Sequence, residues 1–254
     1  MTDFVQVRDI KIGNGIPKIC VPIVGQTADE IFAAARSFHS ISPDVVEWRA
    51  DWFEGVLDFA QTEHVLTHLR AILGNTPLLF TFRSRREGGN LAIEPDAYVQ
   101  LNQLVIGTGL ADLVDVEIFT GDTYASAIIQ AAHGTDVKVI GSYHDFHKTP
   151  EKDEIITRLK KMWELGADIP KIAVMPQSKK DVLTLLAATE ELTAETHRPI
   201  ITMSMSQTGM ISRLSGEIFG SALTFGAVGQ TSAPGQICAA DLREILTLIH
   251  KNLI

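Results

Sequence analysis

"DIPKIAVMP", residues 168–176, sets one lysine, Lys171, near the head of a short apolar run. The run is too short for a helix and reads as a strand. A buried charge without a partner is strongly disfavoured, so a lysine in a core strand needs a reason. One reason is chemical: an amine that is not charged all the time is free to react.

Runs of the same kind recur along the chain. They are "KICVPIV" (18–24), "VVEWR" (45–49), "LLFTFR" (78–83), "LVDVEIF" (113–119), "KVIGSYHDF" (138–146), "PKIAVM" (170–175), "IITMSMS" (200–206) and "ALTFGAV" (222–228). Amphipathic segments alternate with them, among them "ADEIFAAARSF", "EPDAYVQLNQLV", "PEKDEIITRLKKMWELG" and "SKKDVLTLLAATEELTAETH". In "TPEKDE" the spacing predicts a helix start with Thr149 as N-cap and Pro150 at the first helical position.

Eight strands alternating with helices across 254 residues, with no Pro/Gly/Ser linker, predict an α/β fold, a (β/α)8 TIM barrel occupying residues 1–254 as one domain. Residues 1–16 fall outside the repeat. Their "FVQVRDIKIGNG" alternates like a hairpin and is expected to close the barrel floor. A doubly wound open sheet is the alternative; eight units and the lack of a Gly-rich phosphate loop count against it.

The formal net charge of −9 argues against nucleic acid and anionic membrane as partners. No apolar run reaches the ~18 residues of a membrane span, and the N-terminus has no secretory pattern. Cys20 and Cys238 show no zinc-type spacing and read as two buried thiols. A cytoplasmic protein without a metal is expected.

In a barrel the active site lies at the C-terminal ends of the strands, where the polar exceptions collect. Side chains at i and i+2 share a face, so Glu47 with Arg49, and Asp115 with Glu117, can each point together into the lumen; a surface or inter-helix salt bridge is the alternative for each pair. Arg83 ends the third strand and His144 falls late in the fifth. Neighbouring cations and lost hydration would raise the nucleophilic fraction of Lys171; a lysine snorkelling at a strand end to reach water or a carboxylate is the alternative. His144 is the natural proton carrier, with a structural histidine as the alternative, and Glu87 in "RREGG" either holds its ring or is an exposed loop acid before a glycine turn. Asp145 is expected to face away from the lumen, and His147 to be a cap-region or surface group. The guanidinium of Arg213 suits a carboxylate. Met203 and Met205 share a face that fits core packing and substrate contact equally. The segment 229–236, "GQTSAPGQ", reads as a mobile loop over the site; a phosphate cup is the competing reading.

These pieces together are similar to a known family. "PKI" (17–19), "VVEWRADWF" (45–53), "LLFTFRSRREGG" (78–89), "DLVDVEIFTGD" (112–122), "SYHDFHKTP" (142–150), "KIAVMPQS" (171–178), the long segment 201–236 and "DLREIL" occur in family order. The chain resembles the type I 3-dehydroquinate dehydratases. The resemblance implies a barrel, a homodimer, no cofactor, and syn-dehydration of 3-dehydroquinate to 3-dehydroshikimate in the shikimate pathway of aromatic amino acid and chorismate biosynthesis. It places the imine-forming lysine on Lys171, the general acid/base on His144 and its orienting acid on Glu87. Substrate-gripping positions fall on Glu47, Arg49, Arg83, Arg213, Ser232 and Gln236, and pocket-lining positions on Met203, Met205, Phe225 and Ala233. One departure is Pro22, where some members carry a serine. A class I Schiff-base aldolase on the same barrel is the alternative activity. An idle barrel that binds a small acid as a sensor is the alternative from another class.

Overall fold

The structure, a computed structural model, describes residues 3–38, 41–228 and 235–253. It opens with β1 (Val5–Val7) and β2 (Ile10–Ile12), then β3 (Lys18–Ile23), α1 (Ala28–Ser37), β4 (Val45–Arg49), α2 (Phe59–Leu73) and β5 (Leu78–Thr81). The chain continues through α3 (Pro95–Thr108), β6 (Leu113–Glu117), α4 (Asp122–His133), β7 (Lys138–Asp145), α5 (Lys152–Glu164), β8 (Ile169–Val174) and α6 (Lys179–Thr196). It closes with β9 (Ile201–Ser204), α7 (Met210–Leu214), α8 (Gly216–Phe219), β10 (Leu223–Ala227), β11 (Ile237–Cys238) and α9 (Ala239–Leu253).

Strands β3 to β9 pair in parallel, each with the next, and β10 pairs with β3. The ring closes between β9 and β10 through the Ile200–Ser221 bridge and the Ala222 N–H, which donates to the Ile200 carbonyl at 2.8 Å. The short β11 adds to the C-terminal end of β10 through Gly226 and Ala227. This is the (β/α)8 barrel that the alternating pattern predicts. Its strands read as near-continuous apolar runs because helices cover one face and the barrel interior the other; all five residues of β4, Val45–Arg49, are buried.

The apolar core has two layers. One lies between strands and helices, around Trp48, Phe80, Leu66 and Ile128. The other lies inside the barrel floor, where every barrel strand contributes a residue, from Cys20 on β3 to Leu223 on β10. The β1–β2 hairpin pairs Val5 with Ile12 and Val7 with Ile10, and presses Val7 and Ile12 into that inner layer. The floor is therefore sealed, and each fully buried aliphatic side chain contributes roughly 1.5–3 kcal/mol.

Local signals set most helix ends. Thr27 and Ser178 form capping boxes with Glu30 and Asp181, and Asp58 caps α2 by accepting from the Ala60 and Gln61 amides. The start of α5 differs from the sequence expectation. Its N-cap is Glu151, not Thr149, and the Thr149 hydroxyl donates instead to the Met175 carbonyl at 3.2 Å. A tertiary contact to the end of β8 outcompetes the local cap. Cys20 is buried as expected, but Cys238 is exposed. It is the final residue of a two-residue strand added at the edge of the barrel, so one face of it meets solvent.

Candidate active site

The barrel delivers its polar side chains to one cavity of about 180 Å³. Its lining includes Glu47, Arg49, Arg83, Glu87, His144, Lys171, Met203, Met205, Arg213, Phe225 and Gln236. Each of these is a site residue read from the sequence. Ser232 and Ala233 lie outside the described residues, as does most of the loop 229–236. Gly88, Phe146 and Ala173 also line the cavity and were not singled out from the sequence.

Lys171 stands on β8, 3% exposed, and its ammonium has a partner. Nζ donates to Asp115 Oδ2 at 3.1 Å and lies 4.6 Å from the centre of the Phe225 ring. The sequence offers this amine either neighbouring cations or a carboxylate to reach; its hydrogen-bond partner is a carboxylate. Register explains the meeting. Ser142 on β7 pairs with Lys171 and Glu117 on β6 pairs with Ser142; Asp115, two residues before Glu117, shares its lumen face one step below and reaches Lys171 from there.

Asp115 is fully buried and anchors the centre. Oδ1 accepts from Arg83 at 2.6 Å and from the Ser142 hydroxyl at 2.5 Å. Burial alone would raise the proton affinity of this carboxyl, but the charges of Arg83 and Lys171 outweigh it and hold the pKa at about 2. Arg83 also donates to Glu117 and Ser142, each at 3.0 Å, and to Glu87 at 3.3 Å. Glu117 completes its set with the Ser84 amide at 2.8 Å and hydroxyl at 2.7 Å. Glu47 accepts from the Thr81 hydroxyl at 2.9 Å.

His144 follows Ser142 by two residues on β7 and so shares its face. Its backbone N–H donates to Glu87 Oε2 at 3.0 Å, and its Nδ1 lies 3.0 Å from the same oxygen. That contact makes Nδ1 the donor and leaves Nε2 as the free proton acceptor. Burial, then the charges of Arg83, Lys171 and Arg49, pull the imidazole pKa well below its usual value, so the resting ring is neutral. Glu87 is pushed the other way, chiefly by burial and by the charge of Glu117.

The turn that presents Glu87 depends on two glycines. Gly88 takes a φ of +82°, and a Cβ there would meet the Phe146 ring at 2.3 Å. A Cβ on Gly89 would fall 1.8 Å from the Arg83 carbonyl oxygen. The sequence read these glycines only as a turn signal; their close approach to the site is tertiary.

Arg213, on α7, is 2% exposed, and its NH1 lies 3.8 Å from Met203 Sδ. Burial lowers its pKa to about 10. Pro22 is buried in β3, opposite Glu47 in register. As expected, Asp145 turns away, accepting from the His147 and Lys148 amides at 2.9 and 3.0 Å, and His147 is exposed. The sequence reading assigned no role to Asp51, Ser84, Ser142 or Asp115. For Ser142 and Asp115 the period-two spacing to His144 and Glu117 was the available signal. Among the described residues no cluster of three or more His, Cys, Asp or Glu is arranged to hold a metal ion, and no helix is long and apolar enough to cross a membrane.

A polar cavity of this kind, at the C-terminal mouth of a (β/α)8 barrel with a sealed floor, is where enzymes of this fold carry their chemistry. The chain belongs to the type I 3-dehydroquinase family, whose model matches residues 19–253, and it is a hydro-lyase. It is 54% identical over 248 residues to the 3-dehydroquinate dehydratase of Listeria monocytogenes serovar 1/2a, covering 98% of each chain. A crystal structure of the type I 3-dehydroquinate dehydratase from Clostridium difficile, with covalent modified comenic acid, superposes with a TM-score of 0.95 at 53% identity and covers 99% of both chains. The 3-dehydroquinate dehydratase structure from Geobacillus kaustophilus also gives a TM-score of 0.95, at 38% identity and 99% of both chains.

Proposed function

We propose that this chain converts 3-dehydroquinate to 3-dehydroshikimate by syn-dehydration through an imine on Lys171, with His144 as the single proton carrier. The observation that carries the reading is that the Lys171 amine and the His144 imidazole open onto one small cavity. Membership of the family and the names of its close relatives support the substrate.

The chemistry runs as follows. The amine of Lys171, once it has shed a proton, adds to the ring ketone, and loss of water leaves a protonated imine. The iminium acidifies the neighbouring carbon. Nε2 of His144 takes that proton, and the electron pair moves into the iminium as an enamine. The enamine then expels the hydroxyl one carbon further on, which leaves as water with the proton His144 has just taken. One carrier serving both bonds places proton and hydroxyl on the same face. Hydrolysis of the conjugated imine releases the product and restores Lys171.

The surroundings suit each step. Glu87 on Nδ1 fixes the tautomer that leaves Nε2 available and stabilises the imidazolium that forms. Asp115 keeps Arg83 and Ser142 as partners when Lys171 becomes an imine, so it is never an isolated buried charge. Arg213, buried in the cavity lining, receives the substrate carboxylate, which a planar guanidinium takes in two-point fashion. Glu47, Arg49, Arg83 and Gln236 engage ring hydroxyls, and the family resemblance adds Ser232 as a further polar contact and Ala233 as an apolar wall. The reaction draws on no cofactor. The chain acts as a cytoplasmic homodimer in the shikimate pathway, a reading that family membership supports and that sedimentation mass tests.

The direct test is turnover. Adding 3-dehydroquinate to the protein should raise the absorbance of a conjugated enone, and the Lys171→Ala variant should abolish the rise. Full-rate dehydration by Lys171→Ala would remove the covalent scheme.

A further inference from the structure

Asp51 belongs to no step of this chemistry, yet it is fully buried and accepts four hydrogen bonds. It sits in the 3-10 turn Ala50–Trp52 that follows β4. Two of the four come from Arg49, whose Nε donates to Oδ1 at 2.8 Å and NH2 to Oδ2 at 2.9 Å, a fork-on-fork pair. The other two come from backbone amides of a different loop: Arg83 N to Oδ1 at 3.3 Å and Asn90 N to Oδ2 at 3.0 Å.

Those two amides bracket the segment that carries Glu87. The segment is also closed on itself, since Gly89 N donates to the Ser84 carbonyl at 2.8 Å and Arg85 N to the Leu91 carbonyl at 2.8 Å. One carboxylate therefore holds three things in register: the Arg49 guanidinium, the start of the Glu87 loop and its end. We infer that Asp51 is a positioning residue, aiming Arg49 at the substrate and seating the loop that sets Glu87 against His144.

The chemistry explains why a carboxylate is needed. Both oxygens accept twice, and every donor is an N–H. An amide at position 51 keeps the volume but turns one acceptor into a donor facing another donor. Losing hydrogen bonds to a charged group in a buried site has a large effect, and here part of it falls on substrate affinity through Arg49 and part on proton transfer through Glu87. This inference rests on the proposed dehydratase reading.

The test is steady-state kinetics with 3-dehydroquinate on Asp51→Asn, Arg49→Ala and the double variant, each checked for folding by its melting transition. Asp51→Asn should raise KM and lower kcat, each by about tenfold or more. In the Arg49→Ala background the KM effect of Asp51→Asn should shrink below about twofold while the kcat effect remains, because neighbours acting through one another are not additive. Parental KM and kcat in a folded Asp51→Asn, or KM effects that multiply independently, would overturn the inference. If Asp51→Asn does not fold, Arg49→Lys serves: it keeps the charge but cannot take the fork, and a parental KM overturns the aiming role. A parent protein without turnover would sink the dehydratase reading itself; a working parent beside an unaffected Asp51→Asn removes only Asp51.

Discussion

One oxygen of Glu87 holds His144 twice, accepting both its backbone N–H and its Nδ1 at 3.0 Å. A side chain gripped at backbone and ring has little freedom to turn, and the tautomer is fixed with it. Replacing the carboxylate by an amide in Glu87→Gln lets the ring take either orientation and removes the charge that stabilises the imidazolium. The variant should keep its fold and lose kcat by about 10–100-fold, a part of what a general base contributes, in a steady-state assay; an unchanged kcat would detach Glu87 from the proton carrier.

The pH profile follows from His144. Its folded-state pKa lies well below the ordinary 6.5, chiefly through burial, so the neutral base persists as the medium is acidified past that value. The acid limb of kcat/KM should fall below pH 6.5. Stability should move in the same window: as pH drops through 6.5 the unfolded chain binds a proton that the native ring refuses, so unfolding becomes easier. Thermal unfolding across pH, compared between the parent and His144→Gln, checks this; the variant should lose less stability on acidification.

Loss of Asp115 should weaken the fold. It neutralises Lys171 and Arg83 in a fully buried place. Asp115→Asn takes the paired carboxylate from Lys171 and one of three from Arg83, which keeps Glu117 and Glu87; breaking a buried pair from one side typically costs about 3–5 kcal/mol. A clear drop in the melting temperature is expected. Because its pKa is depressed to about 2 from 3.8, its contribution is present above pH 3.8 and disappears as pH falls toward the lower value.

Arg213 should separate binding from chemistry. Truncation in Arg213→Ala removes a charged two-point contact to the substrate carboxylate and should raise KM by about 10–100-fold, with a smaller effect on kcat. Titration of the variant with substrate reads this directly, and an unchanged KM would place the carboxylate elsewhere.

The barrel was legible because parallel strands buried on both faces leave unbroken apolar runs, and because charged residues inside such runs are conspicuous. That is how Lys171, Arg49, Arg83 and Glu47 stood out. Asp115 was visible as a lumen residue, but its bond to Lys171 was not, since the two are far apart in sequence and meet only through strand register. Asp51 was harder still. It sits just past a strand end, where an acid is unremarkable, and its four donors come from two loops. Thr149 and Cys238 went the other way, each having a plausible local reading that tertiary placement overrides. Ser232 and Ala233 rested on the family resemblance alone.

The central claim is a covalent bond to one amine. Borohydride reduction in the presence of 3-dehydroquinate, followed by mass spectrometry of the digested protein, tests it most directly. The account predicts a mass increase confined to the peptide bearing residues 168–176, located on Lys171 and absent from Lys171→Ala. An unmodified peptide from protein that is dehydrating its substrate at full rate would contradict it.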